Sequence, residues 1–164
     1  MSKFFIILFG TIVFGQSPVE LHKSAQSDLD AGKVSEAESG FNAAIQADPT
    51  FAPAYLGLAH TLMRKGDLKK TGNYLKEAIE IEPENQDFRD EFERLSELNT
   101  LMNRGIRSMK NGDSDNAFES FRVAYEKFPN YPESVFNMGL TFFRKKEFNE
   151  AVKYFRNALE INPE

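Results

Sequence analysis

Residues 132–163 read PESVFNMGLTFFRKKEFNEAVKYFRNALEINP, and this stretch decides the fold. Its first half places small and apolar residues at the spacing of one helix face, namely Val135, Met138, Gly139 and Phe142. Its second half uses helical spacing again, with Ala151, Phe155, Ala158 and Leu159. Pro132 suits the first turn of a helix, and Pro163 ends the second helix because proline has no backbone N–H. The stretch therefore predicts two short helices folded back on each other, which cross closely at Gly139 and Ala151.

The pattern of the second helix occurs at four places in the chain. The spacing of Ala151, Phe155, Ala158 and Pro163 is found in three further sets: Ala37, Phe41, Ala44 and Pro49; Thr71, Leu75, Ala78 and Pro83; and Ala117, Phe121, Ala124 and Pro129. The interval from Ala37 to Thr71 equals the interval from Ala117 to Ala151. The interval from Thr71 to Ala117 is longer, because the middle of the chain contains 12 additional residues.

This repeated unit resembles the tetratricopeptide repeat (TPR), a helical hairpin with small residues at its crossing points, an aromatic residue in the second helix and a closing proline. The resemblance implies an all-α fold, a right-handed superhelical array of antiparallel helix hairpins. It divides residues 16–164 into repeats and one helical insertion, at 18–51, 52–85, 86–97 (the insertion), 98–131 and 132–164.

The insertion is expected to lengthen one helix. No Pro or Gly interrupts residues 86–104. Apolar residues recur there and beyond at steps of three and four, namely Phe88, Phe92, Leu95, Leu98, Met102, Ile106 and Met109. We therefore expect one helix from about Gln86 to Lys110. Twelve extra residues add about 18 Å to a helix, so the array is expected to shift or bend at this point.

The composition argues for a protein partner and against several other classes of ligand. The chain has 164 residues, of which 41% are hydrophobic and 27% charged, and its net charge is −5. Nucleic acids and anionic membranes require a positive face, so neither is predicted as a partner. The chain has no Cys, which excludes disulfides, a thiol nucleophile and thiolate metal sites.

Residues 1–15 are typical of a secretory signal peptide. Lys3 supplies one positive charge, and an almost wholly apolar run follows from Phe4 to Phe14. This run is shorter than the roughly 20 residues that span a membrane. We therefore expect cleavage after Gly15, a periplasmic or secreted TPR domain, and no stable membrane span after cleavage. The alternatives are an uncleaved membrane anchor or a buried first helix.

The sequence predicts no catalytic residue, no metal site and no cofactor. Only two histidines occur, His22 and His60, and they are separated by one repeat plus one helical turn. They could project into one groove, but the pattern fixes no third metal ligand beside them. The glycines show no phosphate-binding spacing between a strand and a helix.

The resemblance implies that the first helix of each repeat lines a concave groove. Matched positions across the repeats give the predicted partner-binding residues: Leu56, His60, Met63, Arg64, Met102, Ile106, Met109, Lys110, Phe136, Leu140, Phe143 and Arg144. Methionine adapts its shape to apolar side chains, so this groove is expected to hold a peptide or helix of a partner protein. The alternative for Met102, Ile106 and Met109 is that they pack as core.

Charged groove positions give two further expectations. Arg64, Lys110 and Arg144 occupy one matched position and could form a basic row that pairs with carboxylates of a ligand. One class of TPR protein binds the acidic C-termini of chaperones through Lys, Arg and Asn side chains. The residues of this sequence at the matching positions are His22, Gln26, Gly57, Asn99 and Asn103. Because none of these supplies the positive charge, that mode of binding is not expected.

The last helix predicts a second contact surface. TPR arrays often end in an extra helix that covers the last hairpin, and the sequence ends at Glu164 without one. The residues expected to be only partly covered are Val152, Phe155, Leu159 and Ile161. We expect a non-enzymatic, exported scaffold that binds a partner in its groove. The alternative is a structural subunit, a homo-oligomer joined through this C-terminal face with its groove filled internally.

Overall fold

The structure, a computed structural model, describes residues 16–163 and places eight helices and no strand within them. The helices are α1 (Pro18–Asp30), α2 (Val34–Ala47), α3 (Ala52–Arg64), α4 (Leu68–Ile81), α5 (Gln86–Lys110), α6 (Ser114–Lys127), α7 (Pro132–Arg144) and α8 (Phe148–Ile161). Consecutive helices pair as hairpins, in the all-α array that the resemblance implies. The predicted signal peptide at 1–15 lies outside the described residues.

Helix boundaries follow from local chemistry. Ser17 caps α1 in a capping box with Glu20. Asp67 caps α4 by accepting a hydrogen bond from the Lys70 backbone N–H at 3.0 Å. Glycine with positive φ turns the chain in the first three hairpins, at Gly32, Gly66 and Gly112. In the fourth hairpin Lys146 takes this conformation, with φ 65°.

Close helix crossings explain the small residues inside the hairpins. A Cβ on Gly139 would lie 2.6 Å from the Phe155 ring, and one on Gly105 would lie 2.4 Å from the Phe121 ring. Phe121 is fully buried. The predicted close crossing at Gly139 is therefore confirmed, and a larger residue at either glycine would force the hairpin apart.

Helix α5 confirms the prediction of one uninterrupted helix over Gln86–Lys110, 25 residues long. Its first half packs on α4, where Leu95 joins a core cluster with Leu75. Its second half packs on α6, where Leu98 is fully buried. The extension therefore joins the second hairpin to the third through a shared apolar stripe.

The lengthened helix also brings the third and fourth hairpins against the first two. Met63 of α3 packs on the core cluster that holds Leu98 and Tyr131. Glu133, in the first turn of α7, lies against Gly66 in the turn between α3 and α4. The end of α1 and the end of α8 border one cavity, lined by Asp30 on one side and Asn157 on the other. The expected bend at α5 thus folds the array toward itself.

Candidate functional site

The predicted groove is covered in its N-terminal half. His60 of α3 pairs with the Glu91 carboxylate of α5 at 3.6 Å. Leu56 is half-buried against the clusters that contain Phe88 and Leu95 of α5. The hydrogen bond to His60, with Arg94 nearby, holds the pKa of Glu91 below its usual value despite partial burial. Helix α5 therefore contacts two of the predicted groove residues of α3.

A cavity of about 240 Å³ remains between α1, α3, α5 and the turn before α7. Apart from Asn130, its charged and polar side chains are already hydrogen-bonded or ion-paired. Gln26 donates to Asp30 at 2.9 Å, and Arg94 donates to Glu91 at 2.6 Å. A ligand would have to break these contacts, so the cavity offers little unpaired polarity.

Three predicted groove residues on α5 differ in their surroundings. Met102 is 5% exposed and lies in the core cluster with Leu98 and Phe121, so it is a core residue rather than a groove residue. Met109 is half-buried and packs on the same cluster. Ile106 is exposed. The alternative that this set packs as core therefore holds for Met102 and largely for Met109.

The predicted basic row contains two structural arginines. Arg64 donates to the backbone carbonyl of Leu29 at 2.7 Å, and Arg144 donates to that of Met109 at 2.6 Å. Both carbonyls belong to the last turn of the preceding hairpin's first helix, and each also accepts from the backbone N–H of the following turn glycine, Gly32 at 3.0 Å and Gly112 at 3.2 Å. Lys110, the third member, is exposed. These bonds correct the expectation of a row of cations held ready for a ligand's carboxylates.

The two histidines have separate partners. The His22 ring packs on Phe41 at 5.4 Å and on Phe51 at 5.6 Å, and it hydrogen-bonds the backbone of Pro53. Burial lowers the pKa of His22. Within residues 16–163, no group of three His, Asp or Glu side chains could hold a metal ion. No helix in the same range is long and apolar enough to cross a membrane.

Exposed apolar residues concentrate on the fourth hairpin. Among the described residues, seven large hydrophobic side chains are exposed, and five belong to α7 and α8: Phe136, Phe143, Phe148, Val152 and Leu159. We call these five residues the end surface. Leu140, Phe155 and Ile161 are half-buried. The Phe143 and Phe148 rings pack at 5.4 Å, and Phe148 is a member that the sequence reasoning missed.

A pocket of about 410 Å³ opens at one edge of the end surface, and we call it the end pocket. It is lined by Lys65, Pro132, Glu133, Phe136, Phe155, Ala158, Leu159 and Asn162. Phe136 and Phe155 form its aromatic wall, with ring centroids 5.1 Å apart.

Glu133 is the charged group of the end pocket that is most affected by burial. Desolvation raises the pKa of Glu133, the nearby Asp67 carboxylate adds to this, and a hydrogen bond with Tyr131 partly offsets it. Burial also raises the pKa of Tyr131. One carboxylate oxygen of Glu133 is buried without a hydrogen-bond partner. No spacing rule in the sequence indicated that Glu133 meets the turn at Gly66.

Two segments of the chain match sequence profiles of the tetratricopeptide repeat, residues 52–85 and 132–164. This chain is a tetratricopeptide repeat protein. The matched segments contain the hairpins α3–α4 and α7–α8. The second of them carries the end surface.

Several known proteins are similar to this TPR chain. Tetratricopeptide repeat protein 6 of Homo sapiens is 25% identical over 150 residues, covering 79% of this chain and 29% of the relative. Anaphase-promoting complex subunit CDC16 of Saccharomyces cerevisiae is 28% identical over 148 residues, covering 90% and 16%. Photosystem I assembly protein Ycf3 of Synechococcus sp. is 30% identical over 112 residues, covering 60% of each. The chain thus spans less than two thirds of each relative.

One solved structure supports the fold directly. The P58(IPK) TPR domain superposes with a TM-score of 0.54 at 16% identity, over 88% of this chain and 51% of that one. At this identity the likeness shows a shared TPR fold and nothing about ligands.

Proposed function

We propose that this TPR protein is an interaction module that binds an apolar segment of a partner protein on the end surface. The observation that carries the proposal is the concentration of exposed large hydrophobic residues on α7 and α8. An exposed patch of this kind is typical of a protein contact surface. TPR proteins are generally non-enzymatic scaffolds, and we propose the same for this chain.

The energetics favour aromatic anchors at this surface. Fully burying a Phe side chain contributes roughly 1.5–3 kcal/mol. Phe136 is 45% exposed and Phe143 is 53% exposed, so a ligand can still bury a large part of each ring. The gain must exceed the loss of translational, rotational and side-chain freedom on binding. Several anchors together are therefore needed for useful affinity.

The proposed binding surface is shorter than the groove that the sequence predicted. Ile106 and Leu140 remain accessible or half-accessible beside the end surface. Met102 is buried in the core, Met63 is half-buried against the same cluster, and His60 is engaged with Glu91. We therefore place partner binding on the fourth hairpin and the adjacent face of α5, with the N-terminal half of the groove serving as internal packing.

We further propose that the protein is exported by a cleaved signal peptide at residues 1–15 and is periplasmic or secreted. Support comes from the charge at Lys3 and the short apolar run that follows it. Mass spectrometry of the protein from its native host tests this, because cleavage after Gly15 gives a chain that starts at Gln16. Full-length protein in the membrane fraction would instead support the anchored alternative.

Site-specific photo-crosslinking tests the binding surface. A photoreactive residue placed at Phe143 or Leu159 is expected to trap a partner in extracts of the source cells, because both positions are exposed on the end surface. The same residue at Val19, which is 47% exposed on α1, is the matched control. Equal crosslinking from all three positions would contradict the proposal.

A second candidate is a structural subunit that self-associates through the C-terminal face. Val152 is 45% exposed and Leu159 is 61% exposed, on one face of α8. Analytical ultracentrifugation of the wild type and of Val152→Glu/Leu159→Glu tests this candidate. A wild-type oligomer that the substitutions dissolve would favour it. A wild-type monomer at high concentration would exclude it.

A further inference from the structure

A cleft of about 300 Å³ lies between α4 and α5, away from the end surface, and we call it the α4–α5 cleft. Its floor is apolar: Leu95 is buried, and Leu68 and Phe92 are half-buried. The other lining residues are Lys69, Gly72, Asn73, Lys76, Ser96 and Asn99. The cleft therefore combines an apolar floor with polar and positively charged side chains.

Three polar side chains of the α4–α5 cleft have no partner inside the protein. Within residues 16–163, the cleft side chains that make no hydrogen bond are the neutral ones, Asn73, Ser96 and Asn99. Amides and hydroxyls both donate and accept hydrogen bonds, so these side chains match the N–H and C=O groups of an extended peptide backbone. The cavity between α1, α3 and α5 differs, because nearly all of its polar side chains are already engaged.

The two lysines of the cleft are also available to a ligand. In the part of the chain that the structure describes, neither Lys69 nor Lys76 makes an ion pair, and no carboxylate lines the cleft. Lys76 lies over the Phe92 ring at 5.7 Å, and Asp67, the acid near Lys69, is already paired with Lys70 at 3.1 Å. The chain as a whole has a net charge of −5. The cleft is therefore a local positive site that attracts an acidic ligand.

The insertion forms one side of the cleft. The inserted residues that line it are Phe92, Leu95 and Ser96. Opposite them stands Gly72, where a Cβ would lie 3.3 Å from a methyl group of Leu95. The matched residue of the third hairpin, Phe118, instead packs on Tyr154 with ring centroids 5.9 Å apart. Glycine inside a helix is unfavourable by roughly 0.5–1 kcal/mol relative to alanine, so helix stability does not explain Gly72, whereas the close approach of α5 beside the cleft does.

We propose that the α4–α5 cleft is a second binding surface, which takes a short, extended, acidic segment of a partner protein with an apolar side chain among its carboxylates. Lys69 and Lys76 lie on one face of α4, about 10 Å apart along the helix axis, and three residues of an extended chain cover the same distance. The segment therefore carries carboxylates three positions apart, with an apolar residue between them that reaches the floor. The cleft is at the low end of the roughly 300–1,000 Å³ range of ligand pockets, which suits a short segment. This inference goes beyond the proposed function, because it uses no residue of the end surface.

A nuclear magnetic resonance titration of the full chain tests the proposal. The probe is the synthetic peptide GSDELDSG, blocked at both ends so that its side chains carry all of its charge. We expect saturable shifts of the side-chain amide signals of Asn73 and Asn99 and of the backbone amide signal of Gly72. The peptide GSNQLNSG, in which every carboxylate is replaced by an amide, should give no such shifts. The peptide GSDEADSG should bind about threefold more weakly or worse, because it lacks the leucine that the apolar floor buries.

Protein variants locate the binding. Lys69→Gln/Lys76→Gln is expected to weaken binding about fivefold or more, because two ion pairs are lost. The matched control Lys70→Gln/Lys153→Gln removes the same charge at lysines outside the cleft and should leave binding unchanged. Gly72→Met should weaken binding by filling the cleft while both lysines remain, with circular dichroism confirming an unchanged helix content.

Three results would overturn the inference: absence of the shifts, equal binding of GSDELDSG and GSNQLNSG, or binding that survives Lys69→Gln/Lys76→Gln. Concentration-dependent shifts of Gly72 and Asn73 in the protein alone, removed by the same double substitution, would overturn it in favour of a second copy of the chain as the occupant. None of these results changes the crosslinking expected from Phe143 and Leu159. The proposed function and this inference therefore stand or fall separately.

Discussion

The guanidinium of Arg64 donates a hydrogen bond to the backbone carbonyl of Leu29 at 2.7 Å, which ties the second hairpin to the end of α1. Arg144 makes the equivalent bond to Met109, and both members of this second pair occupy the matched positions of the fourth and third hairpins. Cations near a helix C-terminus are favoured by its dipole and satisfy carbonyls that lack helical partners. The pair of bonds therefore fixes the spacing between neighbouring hairpins.

Replacing Arg64 should destabilise the fold. We expect Arg64→Ala to lower the free energy of unfolding by about 1–2 kcal/mol, because the charge-assisted hydrogen bond to the Leu29 carbonyl is lost and that carbonyl keeps only its bond from the Gly32 N–H. Lys110→Ala, at the matched but exposed position, should change it by less than about 0.5 kcal/mol. Urea denaturation followed by circular dichroism measures both. Equal effects of the two substitutions would contradict the structural role of Arg64.

The contact between the second and the fourth hairpin, where Glu133 lies against the turn at Gly66, can be tested by substituting Gly66. Gly66 and Gly112 both have positive φ, at 79° and 81°, so alanine should strain each turn by about 1–2 kcal/mol. A Cβ at Gly66 would also lie 1.9 Å from a Glu133 carboxylate oxygen, whereas one at Gly112 meets nothing within 4 Å. We therefore expect Gly66→Ala to displace the Glu133 side chain and loosen the contact, and Gly112→Ala to leave it intact.

Spin labels provide the measurement for this prediction, since the chain has no native Cys. Labels at Asp30→Cys and Asn157→Cys report on the ends of α1 and α8, which border one cavity. Double electron–electron resonance spectroscopy should give a longer mean distance between the two labels, or a broader distribution of that distance, in Gly66→Ala than in Gly112→Ala. Adding Glu133→Ala to Gly66→Ala should restore the narrow distribution. An identical distance distribution in all variants would show that Glu133 does not hold the fourth hairpin against the second.

The pH dependence of stability should reflect Glu133. Its pKa is raised in the folded state, chiefly by burial, with Asp67 as the nearby like charge; Tyr131 and Lys65 are the other titratable groups around it. An acid with a raised folded pKa contributes stability at low pH that is lost as pH rises through that pKa. Glu133→Gln should therefore be more stable than wild type at pH 7, with the difference shrinking toward pH 4. A constant difference across this range would contradict the raised pKa.

The sequence predicted what depends on local pattern. Helix α5 was predicted over its observed range, Gln86–Lys110, because an apolar stripe without Pro or Gly specifies a helix whatever its neighbours. The crossing at Gly139 followed from residue size. Burial of Met102 was not foreseen as its main role, since the side of α5 that is covered depends on how the third hairpin docks.

Contacts between residues that are far apart in the sequence could not be predicted from the sequence pattern. The partners of Arg64 and Arg144 are backbone carbonyls, which no residue type marks, so the arginines were interpreted as ligand contacts. Packing of Met63 against Leu98 depends on the angle that the lengthened helix sets between two pairs of hairpins. The spacing of apolar residues along each helix does not depend on that angle and therefore cannot predict it.

The central claim is that the end surface on α7 and α8 binds a partner protein through exposed aromatic side chains. The most direct test is calorimetric titration of the photo-crosslinked partner's binding segment into the wild type and into Phe136→Ala/Phe143→Ala, with circular dichroism confirming an unchanged helix content. We expect the affinity to be weakened by about 100-fold or more, because two anchors of about 1.4 kcal/mol or more each are removed and 1.4 kcal/mol corresponds to a factor of ten. Unchanged affinity in the double variant would contradict it.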